Sequence, residues 1–385
     1  MKADAHPHWA VIGDPVDHSL SPRLFLWLLS HLGVDGTYRK QHVTAEGLDA
    51  FVKTVRAGGL DGCNVTLPHK ETILPLLDDV TEAARSVGAV NTVARRGRQL
   101  VGTNTDVDGV VAALASHADR LQGKRAVVLG AGGAARAGVV ACDQLGLSDV
   151  VVVNRTLARA EQLVHDLAGN CGAALSAAVL DDTVAHAITD AALVLQCSSV
   201  GLDGTSSILD DVRARFEADT IVMDMVYRPL RTPFLQAAES DGAIVVDGLW
   251  MLVHQALAAY AFWTGDDVPL DAAAPLRAHL VGHLHAPQAD DEDANVILRG
   301  RQRINAVDRE LLHLLAVRAE VARSIGALKA KLNEPVVRPE REARLRKLHL
   351  EWAAELGVSD EVTQRVFDAV LDESRRIQQE LQQKD

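Results

Sequence analysis

The stretch that most restricts this chain is Gly130-Ala131-Gly132-Gly133-Ala134-Ala135-Arg136. The residues before it, Arg125-Ala126-Val127-Val128-Leu129, read as a short buried strand, and 134–145, rich in small apolar side chains, reads as a helix. Strand, glycine turn and helix make the setting that a dinucleotide needs. Gly130 permits the tight turn, Gly132 lets backbone approach a pyrophosphate, and small Ala135 lets helix and strand pack closely. The helix N-terminus adds free N–H groups and a partial positive charge. Taken alone, the pattern also fits an ordinary glycine-rich turn.

The next strand separates these readings. Val150-Val151-Val152-Val153 ends in Asn154-Arg155-Thr156, with Arg159 one helical turn beyond Arg155. An NAD site usually carries an acid here, on the ribose 2′-hydroxyl. Two guanidiniums suit a 2′-phosphate instead, with forked donors and permanent charge. The unit therefore reads as NADP-binding; two solvated arginines at a helix start are the alternative.

A length of 385 residues leaves room for two or three domains, and 48% hydrophobic with 24% charged residues is ordinary for a globular protein. A net charge of −13 speaks against nucleic-acid and anionic-membrane partners, but leaves room for local basic pockets. Cys63, Cys142, Cys171 and Cys197 are scattered, which predicts neither a disulfide framework nor a metal site. No apolar run reaches membrane-spanning length, and the start of the chain is polar, so a cytoplasmic enzyme is expected.

Residues 9–109 alternate strand and helix signals and read as a separate α/β domain, with Ser21 as N-cap and Pro22 at the first position of a helix. Three polar clusters interrupt it: His18-Ser19-Leu20-Ser21-Pro22, then Asn64-Val65-Thr66-Leu67-Pro68-His69-Lys70, then Gly88-Ala89-Val90-Asn91-Thr92 followed by Asn104-Thr105-Asp106. Strand ends in open α/β sheets are where ligands bind. Each cluster also has a plain structural reading: Ser21 as a cap, Lys70 as a solvated surface residue, Asp106 as the cap of the next helix.

Together these clusters closely resemble the shikimate dehydrogenase family. The resemblance continues through Asp224-Met225-Val226-Tyr227-Arg228-Pro229, Thr232-Pro233, Asp247-Gly248-Leu249 and Met251-Leu252-Val253-His254-Gln255, and covers about residues 8–283. It implies reduction of 3-dehydroshikimate to shikimate with NADPH. By resemblance, Ser19, Ser21, Thr66, Asn91, Asp106, Tyr227 and Gln255 contact the substrate, and Lys70 and Asp106 form the catalytic pair. The implied cofactor set is Gly130, Gly132, Gly133, Ala134, Asn154, Arg155, Thr156, Arg159, Met225 and Gly248. Two departures stand near the expected nicotinamide end. Gln196-Cys197-Ser198 replaces the family's frequent Asn-Ala-Thr, and Trp250 stands where a second glycine is common.

After the acidic run Asp290-Asp291-Glu292-Asp293 the texture changes. Ile304, Val307, Leu311, Leu314, Val321, Ile325 and Leu328 recur at steps of three, four and seven, a seam on one long helix over 296–332. Further helices are predicted over 340–354 and 361–382. Arg318 breaks the seam, and Lys329 follows on nearly the same face about 16 Å along. Buried cations need anionic partners, supplied either by intramolecular ion pairs or by a ligand.

Residues 297–382 resemble the all-helical chorismate mutases, through Leu298-Arg299 with Arg301, Val307-Asp308-Arg309-Glu310-Leu311-Leu312, Leu315-Ala316-Val317-Arg318, Ile325-Gly326-Ala327-Leu328-Lys329, Arg341-Glu342 and Glu373-Ser374-Arg375-Arg376-Ile377-Gln378. The resemblance implies that Arg318, Arg341 and Lys329 hold a dicarboxylate, with Arg301 arriving from a partner subunit. It further implies that Lys329 and Gln378 address the ether oxygen of chorismate, Glu342 the ring hydroxyl, and Ser374 a carboxylate. Arg338 stands where the family usually has Asp.

The expected fold class is therefore α/β: a two-domain dehydrogenase, with an α/β substrate domain and a Rossmann-like NADP domain, followed by an all-α three-helix domain. The divisions are 1–109 with helices of 248–283 packing back, 110–247, a linker at 284–295, and 296–385. The long helix outreaches two shorter ones, so a homodimer through the C-terminal helices is expected. The rival reading is a quinate/shikimate dehydrogenase whose C-terminal helices serve only dimerisation or effector binding.

Overall fold

Short apolar runs between His8 and Val246 form two six-stranded sheets. The computed structural model describes residues 6–210, 212, 214–269, 272–284, 293–332 and 334–382. The chain divides into two compact units, Met1–Leu284 and His285–Asp385.

The first sheet holds β1 (His8–Gly13), β2 (Thr37–His42), β3 (Gly62–Val65), β4 (Asp79–Val80), β5 (Thr92–Arg96) and β6 (Gln99–Thr103), in the order β2-β1-β3-β5-β6-β4. Strands β2, β1 and β3 are parallel, whereas β5 runs antiparallel to both β3 and β6. Between them lie α1 (Ser21–His31), α2 (Leu48–Thr54), α3 (His69–Thr72) and α4 (Glu82–Val87). Helices α5 (Asp106–Leu114) and α6 (Ala118–Leu121) lead to the second sheet.

That sheet is parallel throughout: β7 (Arg125–Leu129), β8 (Asp149–Asn154), β9 (Ala174–Val179), β10 (Leu193–Gln196), β11 (Ile221–Asp224) and β12 (Ile244–Val246), in the order β12-β11-β10-β7-β8-β9. Continuous valine and leucine runs suit strands covered on both faces. The covering helices include α7 (Gly133–Gln144), α8 (Leu157–Leu167), α9 (Ala185–Thr189) and α10 (Pro233–Ser240). Helix α11 (Gly248–Thr264) then returns along α5 and reaches β5 and α1, and α12 (Ala273–Leu284) packs on α1 and α11. Aromatic rings fasten this return: Trp9 stacks on Trp263 at 4.6 Å, Phe25 on Tyr38 at 4.4 Å, and Trp263 Nε1 donates to Val93 O at 2.9 Å.

Three local expectations are corrected. Ser21 does not cap α1: Leu20 is the N-cap residue without a side-chain bond, and the Ser21 hydroxyl instead accepts from Ser19 Oγ at 3.1 Å. Asp106 is not a cap either, since it is the first residue of α5 and its carboxylate faces Lys70 and Asn91. The division drawn between residues 109 and 110 falls inside α5. Gly109 does not end that helix; it lets α11 approach, because a Cβ there would lie 2.8 Å from Met251 O.

The second unit is helical among its described residues: α13 (Asp293–Leu332), α14 (Pro339–Leu356) and α15 (Asp360–Gln382). Helix α13 begins before residue 296 and takes in three residues assigned to the linker, while 285–292 lie outside the described residues. Nothing between 293 and 296 is a helix breaker, and an aspartate is favourable in a first helical turn. Both α13 and α14 pack on α15, with Ala322, Ala353, Leu371 and Ile377 buried. The seam of α13 is left largely open, with Ile304 61%, Leu311 50%, Val321 53% and Leu328 57% exposed.

Candidate active sites

The polar clusters of the first sheet converge at its strand ends. Lys70, in α3 just beyond β3, reaches Asp106 at the start of α5, Nζ to Oδ2 being 2.5 Å. Their side chains are 18% and 5% exposed, so the pair stands at the edge of the interior. Such a pair persists only when further hydrogen bonds occupy its remaining groups. They are present as a relay. Tyr38 donates to Asn64 Oδ1 (2.7 Å), Asn64 Nδ2 to Thr92 Oγ1 (2.9 Å), Thr92 Oγ1 to Asn91 Oδ1 (3.0 Å), and Asn91 Nδ2 to Asp106 Oδ1 (2.8 Å). The backbone N–H of Thr105 also donates to Asn91 Oδ1 at 2.8 Å. Burial raises the Tyr38 phenol well above its usual value, which keeps it a neutral donor.

Sequence reasoning placed Lys70, Asn91 and Asp106 here, but gave no role to Tyr38, Asn64, Thr92 or Thr105. A signal existed: Asn64 is a carboxamide inside the buried run Gly62–Val65. Thr66 follows β3 directly, its N–H donating to Ile12 O at 2.9 Å. Ser19 and Ser21 bond to each other in the loop between β1 and α1. The buried Gln255 donates to Leu252 O at 2.8 Å on α11. Tyr227 is partly buried; burial raises its phenol and a hydrogen bond from Leu20 backbone partly offsets this.

Gly130 directly follows β7 with φ +119°, a conformation that favours glycine, and its N–H donates to Val153 O at 2.8 Å. Gly132 precedes α7 in extended backbone, and Gly133 and Ala134 open the helix. A Cβ at Gly133 would lie 3.4 Å from the Lys70 stem, so the glycine turn lies beside the ion pair. At the end of β8, Asn154 donates to Thr156 O at 2.9 Å. Arg155 and Arg159 are exposed and make no side-chain bond among the described residues. Arg136, inside the same motif, is instead committed to structure through Asp166 and, at 3.4 Å, Val87 O. Gly248 begins α11 so close to Met225 that a Cβ would lie 2.5 Å from its carbonyl oxygen.

Both departures have local explanations. Gln196, fully buried, donates to Val200 O (2.9 Å) and Asp224 Oδ1 (3.2 Å) and accepts from Ser198 N at 2.5 Å, which closes the loop after β10. Asp224 also accepts from Thr232 Oγ1 (2.6 Å) and Val226 N (2.9 Å), yet burial pushes its carboxyl up to about 6. Trp250 lies under the Arg277 guanidinium at 4.8 Å and stacks on His254 at 5.9 Å, so its bulk fills the contact between α11 and α12.

In the helical unit, Arg318 donates to Ser374 Oγ at 2.5 Å and Val370 O at 3.3 Å. Lys329 donates to Val336 O at 2.8 Å and Gln378 Oε1 at 3.4 Å. Among the described residues neither cation has a carboxylate partner, so the intramolecular ion pairs that would explain the broken seam are not found among them. Arg341 is exposed at the start of α14, and Arg301 is exposed on α13. Glu342 is held by Arg375 through Nε (3.0 Å) and Nη2 (2.7 Å), a clamp that the sequence reading missed and that lowers the carboxyl's pKa. The added charge at Arg338 is matched by Glu334 at 2.8 Å.

A parallel sheet ending in a glycine turn and helix, with a Lys–Asp pair between two helices beside that turn, fits the class of nucleotide-dependent α/β dehydrogenases. Family models match along the same segments: the shikimate dehydrogenase substrate binding domain over residues 11–93, shikimate / quinate 5-dehydrogenase over 112–200, and the shikimate 5′-dehydrogenase C-terminal domain over 248–274. A relative from Lysinibacillus sphaericus, named shikimate dehydrogenase (NADP(+)), is 41% identical over 264 residues, 67% of this chain and 92% of its own length. One of the same name from Geobacter metallireducens is 42% identical over 262 residues, covering 67% and 91%. The crystal structure of shikimate 5-dehydrogenase from Thermus thermophilus, in complex with NADP(H) and shikimate, is 37% identical with a TM-score of 0.62, covering 70% of this chain and 98% of that one. The chain belongs to the shikimate dehydrogenase family. Residues 300–379 match the model of chorismate mutase type II, so the dehydrogenase is joined to a mutase domain in one bifunctional biosynthetic enzyme.

The Gln196 bonds generate a prediction with a defined sign. Gln196→Ala lowers stability by about 1–3 kcal/mol, because buried groups lose their partners. Asp224 is shifted upward in the fold, so its contribution favours folding at low pH and is lost as pH rises through about 6. The penalty of the substitution is therefore larger at about pH 8, where an ionised Asp224 lacks a donor, than at about pH 5. Equal penalties in thermal unfolding at both pH values would show that this donor does not serve Asp224.

Proposed function

We propose that this chain reduces 3-dehydroshikimate to shikimate with NADPH and, in its C-terminal domain, rearranges chorismate to prephenate, both within aromatic amino-acid biosynthesis. The observation that carries the first activity is the Lys70–Asp106 pair beside Gly133. Reduction of a ketone builds negative charge on its oxygen. The Lys70 ammonium stabilises that charge and supplies the proton, while Asp106 fixes the ammonium and accepts from a ring hydroxyl. Hydroxyl and amide groups of Ser19, Ser21, Thr66, Asn91, Tyr227 and Gln255 suit a carboxylate and a polyol ring.

The residues present fit NADP. Gly130, Gly132, Gly133 and Ala134 bring backbone to the phosphates, and Asn154, Thr156, Met225 and Gly248 complete the proposed set. Arg155 and Arg159, unpartnered among the described residues, suit the 2′-phosphate. When bound, the cofactor supplies the hydride; the chain's own residues orient the ketone and move the proton.

The second activity needs no nucleophile. A cage must hold one compact conformer and stabilise charge on the ether oxygen. Among the described residues Arg318 and Lys329 are bonded only to neutral oxygens, which supports their holding a dicarboxylate together with Arg341. Lys329 and Gln378, already 3.4 Å apart, would address the ether oxygen, with Ser374 beside Arg318. Glu342 retains acceptor capacity for the ring hydroxyl while Arg375 fixes its orientation.

Assays of both reactions on the whole protein test this reading. Lys70→Ala is expected to lower dehydrogenase turnover by ~10²–10⁴, with NADP binding nearly unchanged and mutase turnover intact. An unchanged dehydrogenase turnover number removes the role given to Lys70. Changing both Arg155 and Arg159 to Ala should weaken NADP far more than NAD, since each charge-assisted contact is worth roughly 1.5–3 kcal/mol. Equal weakening makes the arginines structural.

The open seam of α13 supports a homodimer in which Arg301 completes the partner's pocket. Mixing Arg301→Ala protein with Arg318→Ala protein under exchange conditions should restore part of the mutase activity that each lacks alone. Confirmed exchange without recovered activity refutes the shared pocket.

A further inference from the structure

A cavity of about 600 Å³ opens beside the loop between β1 and α1, within the range of small-molecule sites. Its walls come from that loop, α1, β2, α12 and the segment after β11. Of the residues placed in the substrate and cofactor sets it contains only Ser19; Lys70, Asp106, Asn91, Thr66 and Gln255 do not line it.

The lining is unlike the rest of this acidic chain. Arg23, Lys40, Arg228, His279 and His283 face the cavity, against the single acid Asp17. Among the described residues Arg23, Lys40 and Arg228 have no carboxylate partner; the Lys40 ammonium donates to the backbone oxygen of Asp17. The groups feel one another. Burial and then Arg23 lower the pKa of His279, and His283 is lowered by burial, Arg23, Arg228, His279 and Lys40 in turn. Three cations gathered from three segments, against one acid, raise a positive potential that a concave surface focuses. Trp27, stacked on His31 at 4.6 Å and 6.1 Å from the ring of His279, forms an apolar side with Leu26 and Pro22.

We propose that this cavity is a second ligand site, for a small organic anion with at least two negative charges on a ring frame. The charges meet Arg23, Lys40 and Arg228, the neutral imidazoles of His279 and His283 add N–H donors, and the ring lies against Trp27 and Leu26. A dicarboxylate is favoured over a monocarboxylate because the fixed cations come from separate segments. A ring is favoured over an open chain because one wall is aromatic.

Isophthalate, a benzene ring with two carboxylates, is the probe, titrated into the full-length protein while tryptophan fluorescence is followed. The part of the signal lost in Trp27→Phe reports this cavity rather than any other anion site. The expected result is a saturable change that weakens with added salt, and that weakens at least about tenfold in Arg23→Gln/Lys40→Gln protein. Benzoate, with one charge, and malonate, with no ring, should each bind at least about tenfold more weakly than isophthalate. His283→Gln is the milder variant if the double one fails to fold, and should weaken isophthalate in the same direction. Identical titrations of wild type and variants overturn the site. No Trp27-dependent signal overturns it as well, and benzoate or malonate equal to isophthalate overturns the assigned ligand class.

Discussion

The Lys70–Asp106 ion pair is the interaction on which the dehydrogenase unit depends. It joins the short helix after β3 to the first residue of the helix that leads from the first sheet to the second. Removing two charges from water costs more than their attraction returns unless other groups complete the arrangement. The run from Tyr38 through Asn64, Thr92 and Asn91 does that, and each of its members lies in or next to a strand. A polar network of this kind is stable only when every member is satisfied, so it fixes one geometry. The proton-bearing ammonium is consequently held by backbone ladders and not by a mobile surface loop. That rigidity suits the role proposed for Lys70, which requires hydrogen-bond reach to a substrate atom.

Cations in the mutase domain are treated differently. Arg318 and Lys329 contact a serine hydroxyl, an amide oxygen and backbone carbonyls. Neutral oxygens orient a guanidinium or ammonium without cancelling its charge. A carboxylate in the same place would compete with a dianionic ligand. Glu342, on α14, is itself engaged by Arg375 through two hydrogen bonds. The clamp fixes the orientation of that carboxylate and lowers its pKa.

Much of this was legible in the chain, because its signals are local. The glycine turn follows a valine-rich strand, the seam of α13 repeats at helical spacing, and motif order carried the family resemblance. What stayed hidden depends on distant residues. Asn64 and Tyr38 are 26 positions apart, and nothing near Tyr38 marks it as the outer member of a relay. The division drawn after residue 109 cut α5, because the packing of that helix on α11 is set by residues beyond 247. Ser21 satisfied the composition of a cap, but its hydroxyl had a nearer partner in Ser19. Arg136 belonged to the nucleotide motif by position, whereas Asp166, thirty residues on, draws it into the scaffold.

The charge balance gives these cases a common logic. With 52 acidic and 39 basic residues, a cation in this chain has no shortage of carboxylates to meet. Arg56, Arg95, Arg125 and Arg136 do meet them, and bind elements together. Arg155, Arg159, Arg318 and Lys329 do not, among the described residues, although they lie where the proposed functions require anions. Leaving a cation unpaired in an acidic protein gives up its available Coulomb attraction and concentrates positive potential locally. Selection for folding alone offers no reason to keep several such cations together. A negatively charged ligand does, since the attraction withheld from the fold is then available to binding.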